Sequence, residues 1–274
     1  MSFIVPGLTD WERTMSRVLL SGGPNTGKTR SSITCKRPVH LISLPGEGGT
    51  NSIPREDGIF PYVWVEDANS RASSKAVLDE IRQLTVEILS GKRGECATIF
   101  VDGIHKAYEY FLDTVTGGDY FKGNEFEALL YQRSHTKFME YIKLVRESSA
   151  PYVFFTAWDA KDPDKPELKS KSPMHVYPDL PGKLSRRILG EFSIVIASHA
   201  TPSPIPGKPP RFFWQLKPSS EVHGASIKID PAIAMYLPAE VEQDWQGLER
   251  LLMEAGAKAK RGARSADKLT TTKQ

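Results

Sequence analysis

Residues Gly22-Gly23-Pro24-Asn25-Thr26-Gly27-Lys28-Thr29 fit the pattern GxxxxGK[ST] without a mismatch. The residue types suit one kind of chemistry. Glycines let the backbone wrap tightly with its N–H groups turned inward, making an anion nest at a helix N-terminus. Lys28 is then placed to reach the β- and γ-phosphates of a nucleoside triphosphate, and the Thr29 hydroxyl to ligate Mg²⁺. Arg30 follows directly and joins the cofactor-binding set. The cofactors expected from this run are ATP, or a related triphosphate, and Mg²⁺.

Triphosphate chemistry also asks for a carboxylate at the end of a neighbouring strand. Ala97-Thr-Ile-Phe-Val-Asp102 supplies a largely apolar run followed by an acid. An unpaired Asp buried in a sheet is costly, so Asp102 wants a cation; the alternative is an Asp that caps a helix starting near Ile104. Hydrolysis further needs a group to polarise or deprotonate water. Glu47, in Leu44-Pro-Gly-Glu47-Gly-Gly, is the candidate, because flanking glycines let the backbone bring its carboxylate close to the γ-phosphate. Glu66 and Asp67 compete for that role, and a solvated Glu in a glycine turn is the bland reading. The catalytic set expected is Lys28, Glu47 and Asp102, with Thr29 and Asp102 at the metal.

These groups need a scaffold. Short apolar runs at Arg17–Ser21, Pro38–Leu44, Tyr62–Glu66, Ala97–Asp102, Tyr152–Thr156 and Phe192–Ala197 read as strands buried on both faces. Helical spacing appears between them, in Val77, Leu78, Ile81, Leu84 and Ile88, and again from Phe126 to Val145. The alternation predicts an α/β fold with a mainly parallel central sheet flanked by helices. Phe212–Leu216 and Ser226–Ile229 predict a short antiparallel extension, and a last helix is expected from Glu240 to Gly256, where glycine caps it. Asp159–Pro181 and Thr201–Pro210 read as long surface loops.

With 274 residues, 39% hydrophobic and 25% charged, the chain has the composition of one globular domain. That domain is expected over residues 1–256, with a core at 17–230. No apolar run approaches the length of a membrane span and the N-terminus does not read as a signal peptide, so a cytoplasmic protein is expected. Two unpaired cysteines, Cys35 and Cys96, and six scattered histidines suggest neither a disulfide framework nor a zinc site. The net charge of +3 decides little. Residues 257–274 are basic, with Lys258, Lys260, Arg261 and Arg264, and read either as a disordered terminus or as a phosphate-binding tail.

With these residues in hand, the sequence resembles the RecA-like P-loop ATPases, and among them the small phage-encoded ATPases of recombination and single-strand annealing. The resemblance spans about Arg17 to Ile229. It rests on Gly22–Thr29, on Glu47 after the next strand, on Thr98–Asp102, on the unit from Glu125 to Trp158, and on Pro178–Lys183 leading to Phe192. It implies a RecA-type core, Mg-ATP hydrolysis in a host cytoplasm, and binding of DNA, with single-stranded DNA as the expected partner and the preference between single and double strands left open. The implied DNA contacts lie in Thr116–Phe126 and Asp159–Pro181. A homo-oligomer, ring or filament, is implied, in which a basic residue reaches the neighbour's γ-phosphate, by position Lys217 or Lys228. A phage or host single-strand-binding protein is the implied partner. One departure stands out: where the family carries a polar amide after the sensor strand, this chain reads Thr156-Ala-Trp158-Asp159.

Two other functions compete. One is a nucleotide-gated module that binds DNA or protein without turnover. The other is a P-loop kinase for a small molecule, for which Arg186 and Arg187 would have to serve as a lid.

Overall fold

The computed structural model describes residues 17–44, 46–47, 49–63, 74–117, 125–161, 176–218 and 227–271. Its strands are β1 (Arg17–Ser21), β2 (Val39–Ser43), β3 (Ile59–Val63), β4 (Thr98–Asp102), β5 (Tyr152–Ala157), β6 (Asp159–Lys161), β7 (Val176–Pro178), β8 (Ile194–Thr201), β9 (Arg211–Gln215) and β10 (Glu240–Glu242). Its α-helices are α1 (Ser74–Leu89), α2 (Ile104–Thr116), α3 (Glu125–Arg146), α4 (Leu184–Arg187), α5 (Pro231–Ala234) and α6 (Trp245–Thr271).

Eight strands form one sheet in the order β10-β9-β8-β1-β5-β4-β2-β3. From β8 to β3 every neighbouring pair is parallel, while β9 and β10 add an antiparallel edge. The fold is thus α/β, a P-loop NTPase sheet with helices on both faces. Chain order explains the site: after β1 the chain crosses over β5 and β4 to make β2, so the C-terminal end of β1 opens a crevice between neighbours whose connections leave in different directions.

Strand residues alternate between two cores. Leu19, Ile42, Val101, Val153 and Phe155 face one layer, packed by Ile81 and Ile88 of α1, Phe111 of α2 and Phe138 and Ile142 of α3. Val18, Leu20, Leu41, Phe100, Phe154 and Ile196 face the other. There α6 does most of the covering, through Trp245, Leu248, Leu252 and Ala255 at helical spacing. The Trp245 ring meets Phe154 edge-on, centroids 4.7 Å apart.

Several expectations are corrected. The third strand runs Ile59–Val63, three residues earlier than read, because as an edge strand it tolerates Pro61; Glu66 and Asp67 lie outside the described residues. Ser226–Ile229 contributes one bridge, Lys228 to Val195, and the strand beside β9 is Glu240–Glu242, at the residues where the last helix is expected to start. The last helix begins at Trp245 and runs to Thr271, through the basic stretch, with Gly256 buried inside it instead of ending it. Within the expected Asp159–Pro181 loop, β6 and β7 pair as an antiparallel ribbon. Among the described residues no helix is long and apolar enough to cross a membrane.

Candidate functional site

The glycine-rich loop leaves β1 at Ser21, and the segment after it is only a six-residue 3-10 helix, Thr29–Thr34, where a longer helix would be the usual support. Lys28 is buried, and its ammonium donates to the carbonyls of Gly22 and Gly23, both at 2.7 Å. Burial lowers its pKa, opposed by the negative charges of Asp159, Asp102 and Glu47. The loop is braced from outside. Gln243 Nε2 donates to the Thr26 carbonyl at 2.8 Å and to that of Phe213 at 3.2 Å. The Phe212 ring lies so close to Gly27 (φ +81°) that a Cβ there would meet it at 2.7 Å. Nothing in the local sequence announces Gln243 or Phe212; only the antiparallel edge brings them to the loop.

Asp102 ends β4 at the same end of the sheet and is buried. Its Oδ2 accepts from the Thr29 hydroxyl at 2.8 Å and its Oδ1 from the Thr156 hydroxyl at 2.6 Å. Thr156 in turn accepts from the Gly103 amide at 2.8 Å. Asp102 is therefore not a helix cap: α2 is capped by Gly103, with no side-chain capping bond. Desolvation raises the Asp102 pKa, the two hydroxyls and Lys28 pull it down, and Glu47 adds a smaller push upward.

Glu47 comes to the same place from the β2 side. Gly46 (φ +85°) turns the chain, and the carboxylate lands against Gly103, whose φ of +86° and missing side chain make the room. A Cβ on Gly103 would sit 2.5 Å from Glu47 Cγ and Oε1. Glu47 Oε1 is 3.0 Å from Nε2 of His105, a histidine given no role by its spacing in the sequence.

Beyond the sensor strand β5, Trp158 lines the cleft and stacks on His105, centroids 4.7 Å apart. Asp159 is largely buried on the Lys28 side, and burial lifts its carboxyl to about 6, against the pull of the Ser21 hydroxyl and Lys28. A carboxyl raised in the fold above its ordinary 3.8 gives stability that is whole below about pH 4 and is lost as pH rises through about 6. Asp159→Asn is expected to remove that dependence and to raise stability at pH 8 by about 1–3 kcal/mol. Urea unfolding of both proteins at pH 4.5 and pH 8 measures it.

Together Lys28, Thr29, Glu47, Asp102 and Trp158 border one cleft of about 450 Å³, closed on the far side by Pro210 and Phe212. A second recess of about 240 Å³ adjoins it past Arg30, between Ile33, Thr34, Pro209 and Phe212. The cleft is thus built from the residues whose spacing suggested it. Four further basic residues of interest lie away from the cleft of their own chain. Lys228 donates its ammonium to the carbonyls of Phe192, at 2.6 Å, and Leu189, near the N-terminal end of β8 and away from the loop. Lys217 lies two residues past Gln215, which pairs with Ala197 at the level of Ser21, and so sits further down the sheet from the loop. Neither Arg186, whose guanidinium sits 5.2 Å from the Tyr177 ring centre, nor Arg187 borders the cleft.

The Thr29 hydroxyl and the Asp102 carboxylate, two oxygen donors, meet at 2.8 Å in the cleft. That fits Mg²⁺, which keeps waters and phosphate oxygens as most of its ligands and asks little of the protein.

A search of curated proteins gives no match. Among solved structures, one described as a prototypical ATPase from the type III secretion system of pathogenic bacteria is similar at 10% identity and a TM-score of 0.45, over 70% of this chain and 55% of that one. The chain spans little more than half the length of that protein. A family model described as an AAA domain matches residues 14–225, most of the sequence, and the chain therefore belongs to the AAA domain family of P-loop ATPases.

Proposed function

We propose that this protein is a Mg²⁺-dependent ATPase acting on DNA, in recombination or single-strand annealing of the phage type. The observation that carries the ATPase reading is the convergence of Lys28, Thr29, Asp102 and Glu47 on one cleft beneath the glycine-rich loop. The amides of Gly22–Thr29 take the phosphates, and Lys28 leaves the Gly22 and Gly23 carbonyls to pair with them. Thr29 and Asp102 would hold Mg²⁺, which when bound neutralises charge on the phosphates. Glu47 accepts the proton of the attacking water. The nucleoside runs past Arg30 into the second recess, where Phe212 and Pro210 offer apolar surface to the base.

DNA is supported by the resemblance and by the β6–β7 ribbon, which starts one residue after Trp158 at the mouth of the cleft. Much of both implied DNA loops, Thr116–Phe126 and Asp159–Pro181, lies outside the described residues. Hydrolysis of ATP with and without single-stranded DNA, against Lys28→Ala as background, is the test. Stimulation by DNA is the expected result. Turnover indifferent to DNA removes the recombination reading and keeps the ATPase. Binding without turnover, DNA present, favours the nucleotide-gated module.

A further inference from the structure

A carboxylate that activates water must be held to within a fraction of an ångström, and Glu47 stands on a glycine-flanked turn with little of its own to fix it. His105 is the group that meets it. From the second position of α2, its Nε2 lies 3.0 Å from Glu47 Oε1. Both side chains are nearly enclosed, His105 at 4% and Glu47 at 8% exposure, so the approach is not a passing surface encounter. The 3.0 Å approach is a close polar contact and not an aligned hydrogen bond: Glu47 Oε1 and both imidazole nitrogens are buried without a hydrogen-bond partner among the described residues, so each is the other's nearest means of satisfaction. The ring plane is set by its stack on Trp158, and the Trp158 carbonyl accepts from the Asp179 amide at 2.7 Å, just past β7. Gly103, with no side chain, leaves the room that the Glu47 carboxylate occupies.

We propose that His105 is a positioning residue for the Glu47 carboxylate, with Trp158 fixing the imidazole and joining it to the base of the β6–β7 ribbon. This rests on the reading of Glu47 as the water-activating acid. Two buried polar groups left 3.0 Å apart with no hydrogen-bond partner need only a small rotation of either side chain to pair, and pairing removes the cost of leaving both unsatisfied. The pairing also gives the ribbon a route to the acid: a ligand that shifts Trp158 shifts the imidazole, and with it Glu47.

Steady-state kinetics and ATP binding on the full chain test it, with His105→Ala, His105→Gln and each combined with Glu47→Gln. His105→Ala is expected to lower kcat about tenfold to a hundredfold, the cost of an ångström-scale misplacement. KM and ATP affinity should stay within about twofold, as for an interaction used only in the transition state. His105→Gln, which keeps an N–H near the Nε2 position, is expected to recover most of the loss. Neither His105 change should reduce turnover further once Glu47 is Gln. An unaltered kcat in His105→Ala, a Gln variant no better than Ala, or a loss that persists undiminished in the Glu47→Gln background overturns the assignment. If Glu47→Gln itself turns over normally, the base reading fails separately. The pairing is then read from the His105 imidazole ¹⁵N resonance, which Glu47→Gln must move; a resonance that stays put overturns it.

Discussion

Glu47→Gln is expected to lower ATP turnover by about two to four orders of magnitude while ATP still binds, the usual cost of removing a positioned general base. The substitution keeps the size of the side chain and removes only its basicity. The amide fits against Gly103 as the carboxylate does, so the cleft keeps its shape. Lys28 loses one of the three negative neighbours that hold its charge, the one with the smallest influence. Binding therefore survives and chemistry does not. Single-turnover hydrolysis beside equilibrium ATP binding separates the two. A variant that turns over at the normal rate would move the base elsewhere in the cleft.

Lys28→Ala is expected to weaken both, with ATP affinity falling at least about tenfold and turnover by about three orders of magnitude, since the ammonium is the chain's own charge against the phosphates. Its ammonium also closes the loop upon itself through the Gly22 and Gly23 carbonyls. Removing it leaves those acceptors without that donor and Asp159 without the cation that draws its carboxyl down. Nucleotide titration and phosphate release report the two losses. Affinity retained at the wild-type level would place the phosphates away from Gly22–Thr29.

How far the sequence spoke depended on distance along the chain. The P-loop is local: a strand, a glycine turn and Lys-Thr follow one another, and the fold delivers them as spaced. Asp102 was legible for the same reason, an apolar strand ending in an acid. Glu47 needed only the glycines around it. What failed were signals that tertiary context overrides. Gly256 reads as a stop but is carried inside α6, because Leu252 and Ala255 are already docked on the sheet. Glu240-Val-Glu242 is too short to announce itself as a strand and becomes one by pairing with β9. His105 and Gln243 were invisible as site residues, since each acts on a group far away in sequence: Glu47 for the first, Thr26 for the second.

The Gln243 tether also bears on the order in which this protein becomes competent. It joins residues 217 apart, and the Phe212 wall of the loop comes from the same late part of the chain. A chain emerging from the ribosome makes the phosphate loop early, yet that loop is braced only when β9, β10 and the start of α6 have followed and found β8 and β1. Nucleotide thus meets a finished pocket only on a nearly complete domain. A partly made chain has the signature in its sequence without the grip.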